Sequence, residues 1–206
     1  MKLTRPVSRK IFIYGATSAI ITLAVICINA RRVELVDARF RVLCRGHLKH
    51  VASALHHYRD DYGIFPGDLV SSQTGEPLLS WRITLLKYAG PGDKELFQEF
   101  RLNEPWDSPH NKELIPRMPF WMACPADVQG EFLTNYFYAT KHPALRGNPA
   151  ANPALEDNLL LIESSSAEPW TKPTSKFAWK KERSSLHRGT LVVSTDGRAH
   201  VIQTED

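Results

Sequence analysis

Four histidines, His47, His50, His56 and His57, crowd one short segment, with Cys44 just ahead of them. Imidazole and thiolate are ligands that a borderline ion such as zinc selects, so a metal site is the first chemistry to test. The spacing argues against it. On a helix His47 falls within an apolar stripe, whereas His50 and His57 lie two turns apart at its edge, and no carboxylate stands at a His-Glu-x-x-His spacing. For hydrolysis, Ser164 to Ser166 with His187 and Asp196 would supply a nucleophile, a base and an orienting acid. No Gly-x-Ser-x-Gly elbow presents any of these serines, and serines after a strand usually mark a loop. Asp60 and Asp61 adjoin a helix C-terminus, where the dipole disfavours carboxylates, and read as solvated charges or as partners for a cation or an arginine. Gly90-Pro91-Gly92 lacks the lysine of a phosphate loop and reads as a turn. No metal, no cofactor and no catalytic residue is expected. Of the tryptophans, Trp81 and Trp106 suit a core. Trp170 and Trp179, in a late stretch without periodicity, suit a partner surface, and a glycan- or peptide-binding module is the rival reading they support.

The elements that would position these residues begin with Ile11 to Ala30, twenty residues without a charge. At 1.5 Å per residue such a helix matches roughly 30 Å of hydrocarbon, long enough to span a bilayer. A cleaved signal peptide would have a shorter apolar core and small residues at its junction, which Ile-Asn-Ala-Arg-Arg does not offer. Beyond Arg31 and Arg32 the helical period continues through Val36, Phe40, Leu43, His47, Val51, Leu55, Tyr58 and Tyr62. One long helix from about 11 to 62 follows, closed by Gly63 and blocked by Pro66. Ser80 can cap a helix through Tyr88, and Asp93 can start another through Phe100. Strands are expected at 134–140, 158–163, 190–195 and 198–202, the last two joined by Asp196-Gly197, a hairpin signal. The stretches 141–153 and 168–181 read as surface loops.

The formal charge of +4 and the pI near 9.0 do not point to nucleic acid. Residues 1–50 hold ten basic groups against Glu34 and Asp37, so the remainder is acidic overall. The basic excess flanks the apolar run, where it suits anionic lipid, and an acidic remainder gives no footing for a phosphate backbone. The positive-inside count is indecisive, because basic residues stand on both sides of the run.

A long N-terminal helix laid against a small antiparallel sheet is an α+β arrangement with the shape of a type IV pilin. The chain resembles the bacterial prepilin-like proteins whose exported domain is a domain of unknown function. The matching stretches are Cys44 to Pro66, Ser80 to Tyr88, Glu104 to Ile115, Cys124 to Asp127, Thr134 to Thr140, Glu168 to Pro173 and His187 to Ile202. They follow the family's order over about 44–202. The resemblance implies a pseudopilin-like fold, an exported domain and no enzymatic activity. The N-terminus departs from the pattern. Relatives carry Phe-Thr-Leu-Ile-Glu after the glycine of a prepilin peptidase site, whereas Gly15 is followed by Ala-Thr-Ser-Ala-Ile, and the first glutamate is Glu34. Retention of the basic segment and no pilin-type filament are therefore expected.

The resulting organisation is a cytoplasmic basic segment at 1–10, a transmembrane helix at 11–30, an amphipathic continuation at 31–62 and an exported α+β domain at 63–206. The expected role is structural or interactive at the cell envelope, with the lipid bilayer and other envelope proteins or pseudopilin-like subunits as partners. Cys44 and Cys124 both fall in family-like motifs, and Cys44 lies on the stripe that must face the domain. A disulfide between them is expected, as an exported domain permits.

Overall fold

A computed structural model describes residues 8–126, 130–139, 159–173 and 190–202, with side chains from residue 21 onward except at 165. Helix α1 runs without interruption over Ser8–Tyr62. It ends where Gly63 turns into the left-handed region at φ 75° and donates its N–H to Arg59 O at 2.7 Å, which satisfies one carbonyl of the last turn. Two compact units divide the chain, Met1–Arg39 and Phe40–Asp206, and the boundary falls inside this helix. Among the described residues no helix is long and apolar enough to cross a membrane. The side chains of 11–20, half of the uncharged run, lie outside that description.

The second unit holds the fold that positions the site. Within it α1 buries Cys44, Leu48, Val51, Ala52 and Leu55 at helical spacing, while Leu43 is half exposed and Tyr62 more so. The buried face is therefore centred one residue on from the expected stripe. The reason lies in the docking surface: Leu48, Val51 and Leu55 share one buried core with Leu161, Leu191 and Val193 of a sheet, and His47 at the margin hydrogen-bonds Ala123 O instead.

Short elements follow. Strands β1 (Leu69–Val70) and β2 (Pro77–Leu79) pair antiparallel. Helix α2 (Trp81–Ala89) starts at Ser80, whose hydroxyl accepts from Arg82 N–H at 3.3 Å, as the cap expectation required. Helix α3 (Pro91–Glu99) begins two residues before the expected Asp93. Proline at a first helical position loses no hydrogen bond and has its φ already set, so Gly90-Pro91-Gly92 opens a helix and does not form a free turn. Helix α4 (Pro109–Leu114) is capped by Ser108, whose hydroxyl accepts from Asn111 N–H at 3.2 Å. Two single turns of 3-10 helix, Ile115–Arg117 and Phe120–Met122, lead toward the sheet.

That sheet is an antiparallel meander of β3 (Leu133–Tyr138), β4 (Leu159–Pro169), β5 (Thr190–Ser194) and β6 (Ala199–Ile202), in spatial order 3-4-5-6. The β5–β6 hairpin turns at Asp196-Gly197, with Gly197 at φ 81° and Asp196 accepting from Arg198 N–H at 3.0 Å. Tyr136, Leu161, Leu191 and Val193 face the α1 core, and Phe137, Leu159, Ile162 and Val192 form a second, smaller cluster. In β3 and β5 adjacent residues alternate between the two clusters as a strand period of two imposes, whereas in β4 Leu159 and Leu161 fall in opposite clusters across an irregularity in the β4–β5 register. Strand β4 runs on to Pro169, so the stretch from Glu168 onward begins in the sheet and is not wholly the expected surface loop. The loop expected at 141–153 lies outside the described residues.

Candidate functional site

Three chemistry-bearing side chains converge from three elements. Cys44 comes from the buried face of α1, Cys124 from the segment after the second 3-10 turn, and Glu163 from β4, where it stands opposite Tyr136 of β3. Their ligand atoms, the two sulfurs and a carboxylate oxygen, all lie within 4.8 Å of one another. Cys44 is 0% exposed, Cys124 2% and Glu163 0%. Both cysteines are thiols in this structure.

The surroundings hold each group in place. Asn135 accepts from Cys124 N–H at 3.5 Å and donates through its amide to Ser164 O at 3.3 Å, tying the Cys124 segment to the strand that carries Glu163. Thr134 donates its hydroxyl to Met122 O at 2.6 Å, fixing the start of β3 on the preceding turn. The Tyr136 hydroxyl lies beside Cys44. Burial first, and then the nearby Cys44, Glu163 and Cys124, push that phenol well above its ordinary range. All three groups are buried among the described residues. What two thiols and a carboxylate can do in such a place is bond sulfur to sulfur or ligate an ion, and either would join helix, loop and strand.

The other expected residues are not drawn together. Trp170, expected on a partner surface, is fully buried at 0% exposure, and its indole donates to Ile115 O at 2.9 Å. Its edge contact with Phe100, at 5.8 Å between ring centres, completes a core position, so it offers no surface to a glycan or peptide. Trp179 lies outside the described residues. Trp81 is buried as expected, and Trp106 is partly buried against the same core. His47 Nδ1 bonds Ala123 O at 2.9 Å, His50 packs on Trp121 at 4.8 Å and His56 on Phe65 at 5.8 Å. Asp61 accepts from the Tyr88 hydroxyl at 2.8 Å, and Asp60 meets Arg59 at 3.7 Å on the surface. Ser164 is buried in β4, and His187 lies outside the described residues.

Two polar residues that sequence reasoning passed over prove central to the architecture. Arg82 is buried, with its guanidinium donating to Tyr136 O at 2.6 Å, to the Ser80 hydroxyl at 3.0 Å and to Glu168 at 3.4 Å. It is flanked by the Trp81 and Phe137 rings at 4.8 and 5.1 Å. Burial pulls its pKa down to about 10, with Glu168 opposing the fall, so it stays charged at neutral pH. Asn111, also buried, accepts from Arg101 N–H and donates to the carbonyls of Arg101, Glu104 and Pro105. A charged residue between apolar neighbours, Trp81 and Ile83, is the signal that could have flagged Arg82, whereas Asn111 stands between His110 and Lys112 and carries no such signal.

A family model described as "Protein of unknown function (DUF1559)" matches residues 37–200. No curated protein matches the chain, and no solved structure does.

Proposed function

The chain belongs to the DUF1559 family of unknown function, and from that premise we propose that it is a non-enzymatic, single-pass, pseudopilin-like membrane protein. Residues 11–30 serve as its anchor, and the α+β domain lies outside the cytoplasm in a structural or interaction role at the cell envelope. The observation that carries this reading is the uncharged run Ile11 to Ala30, which leads within one helix, Ser8–Tyr62, into the half that packs on the sheet. A bilayer accepts that run because every backbone group in a helix is satisfied internally. Basic residues at both ends of the run suit anionic headgroups.

Two measurements on cell membranes test it. Alkaline carbonate washing should leave the full chain in the pellet and detergent should release it. Protease added outside cells or spheroplasts should digest the domain while sparing the N-terminal segment. Release by carbonate, or a domain protected until the cells are lysed, would sink the anchor or the orientation respectively. Crosslinking in the same membranes then identifies the envelope partner.

A further inference from the structure

We propose that Cys44, Cys124 and Glu163 form a three-ligand site for a thiophilic divalent ion of the zinc class. The proposal goes beyond the envelope role and does not depend on it. The argument begins with distance. Zinc bonds sulfur at about 2.3 Å and carboxylate oxygen at about 2.0–2.2 Å, so tetrahedral ligand atoms stand about 3.3–3.8 Å apart. The three ligand atoms, all within 4.8 Å of one another, need only small side-chain rotations to reach those separations.

Chemistry and burial point the same way. Two thiolates select a soft or borderline ion over calcium or magnesium, and one carboxylate is a common third ligand for zinc. All three groups are buried, and only a cation makes their anionic forms compatible at one place in a dry interior. Binding exchanges the two thiol protons for the ion, so affinity must rise with pH. The supporting shell is already built. Asn135 links the Cys124 backbone to β4 beside Glu163, and the Tyr136 hydroxyl lies beside Cys44, where it can donate to a thiolate. Because all three ligands are buried, the ion would act structurally, fastening the packed half of α1 and the Cys124 segment to β4.

The test uses the full chain in detergent, purified without oxygen in the presence of reductant, and cobalt(II) as a spectroscopic probe. Sulfur-to-cobalt charge-transfer absorption and tetrahedral d–d bands should grow to one equivalent per chain, and zinc should displace them. Zinc should also raise the thermal midpoint of the unmodified chain. Cys124→Ser should abolish the charge-transfer band, and Glu163→Gln should weaken cobalt binding about tenfold or more while keeping the fold by circular dichroism. If Glu163→Gln does not fold, the unmodified chain still decides, through its cobalt spectrum and its zinc-dependent midpoint. The proposal is overturned if the reduced chain develops no charge-transfer band, or if Glu163→Gln binds cobalt as tightly as the unmodified chain. It is overturned equally if peptide mapping of the chain taken from its native source, alkylated before lysis, finds Cys44 and Cys124 joined as a disulfide.

Discussion

At the scale of single residues, the buried polar groups carry the specificity of this fold. Arg82 sits at the junction of α2, β3 and β4, where it pairs with Glu168, itself only 17% exposed. Breaking a buried pair by removing one partner leaves the other charge in a poor solvent, and here it also leaves Tyr136 O without its guanidinium donors. Arg82→Met should destabilise the domain by about 3–5 kcal/mol. Arg82→Lys should recover only part of that loss, because one ammonium cannot reproduce the forked contacts. Denaturant unfolding followed by tryptophan emission measures both, and an Arg82→Met midpoint equal to that of the unmodified chain would remove this account of the junction.

At the scale of elements, α4 is too short to persist on its own cooperativity and depends on its ends. Asn111 supplies three donor contacts and one acceptor contact that close the segment from Arg101 to Pro105 back onto the helix. Removing them strands several buried backbone groups, so Asn111→Ala should cost about 3 kcal/mol. Asn111→Asp should cost more at neutral pH, since a carboxylate would face three carbonyls. It should regain stability as the pH falls and the acid acquires a proton to donate. Unfolding midpoints for both variants at neutral and acidic pH provide the check, and an aspartate variant without this pH dependence would contradict the network.

At the scale of the whole molecule, alkaline stability reads out the closure of the core. Tyr136 is 1% exposed and its folded-state pKa is raised well above 10.0, chiefly by burial. The unfolded chain releases that phenolic proton near pH 10 while the folded chain retains it. Above pH 10 the unfolded state therefore binds fewer protons, so the stability that Tyr136 contributes is fully present below pH 10 and is lost as the pH rises toward the folded value. Phenolate absorbance during an alkaline titration should show Tyr136 ionising together with loss of the fold and not before it. A Tyr136→Phe variant that leaves the number of late-titrating tyrosines unchanged would contradict this. The same closure draws on the stretches that carry the family resemblance. Ser80 and Arg82, Ser108 and Asn111, and Glu168 and Trp170 each serve a cap, a buried network or a plug.

The sequence by itself determined the local features, because their causes act over a few residues. Ser80 caps the helix that follows it, Gly63 ends α1 through a conformation that glycine adopts without strain, and Asp196-Gly197 closes its hairpin through the turn it favours. The uncharged run at 11–30 is a matter of composition alone, and the α+β class follows from the order of the periods. Only the tertiary structure decided which groups meet. The pairing of Tyr136 with Glu163 across β3 and β4 fixes which face of the sheet receives the carboxylate, and the phase at which α1 docks leaves Leu43, expected on the stripe, half exposed. Trp170 looked like loop because Glu-Pro-Trp has no period, yet a carbonyl of Ile115 and the ring of Phe100 were waiting to enclose it. Side chains far apart in sequence are brought together by strand register and helix phase, and those are settled by the packing of the whole core, which no short window of sequence contains.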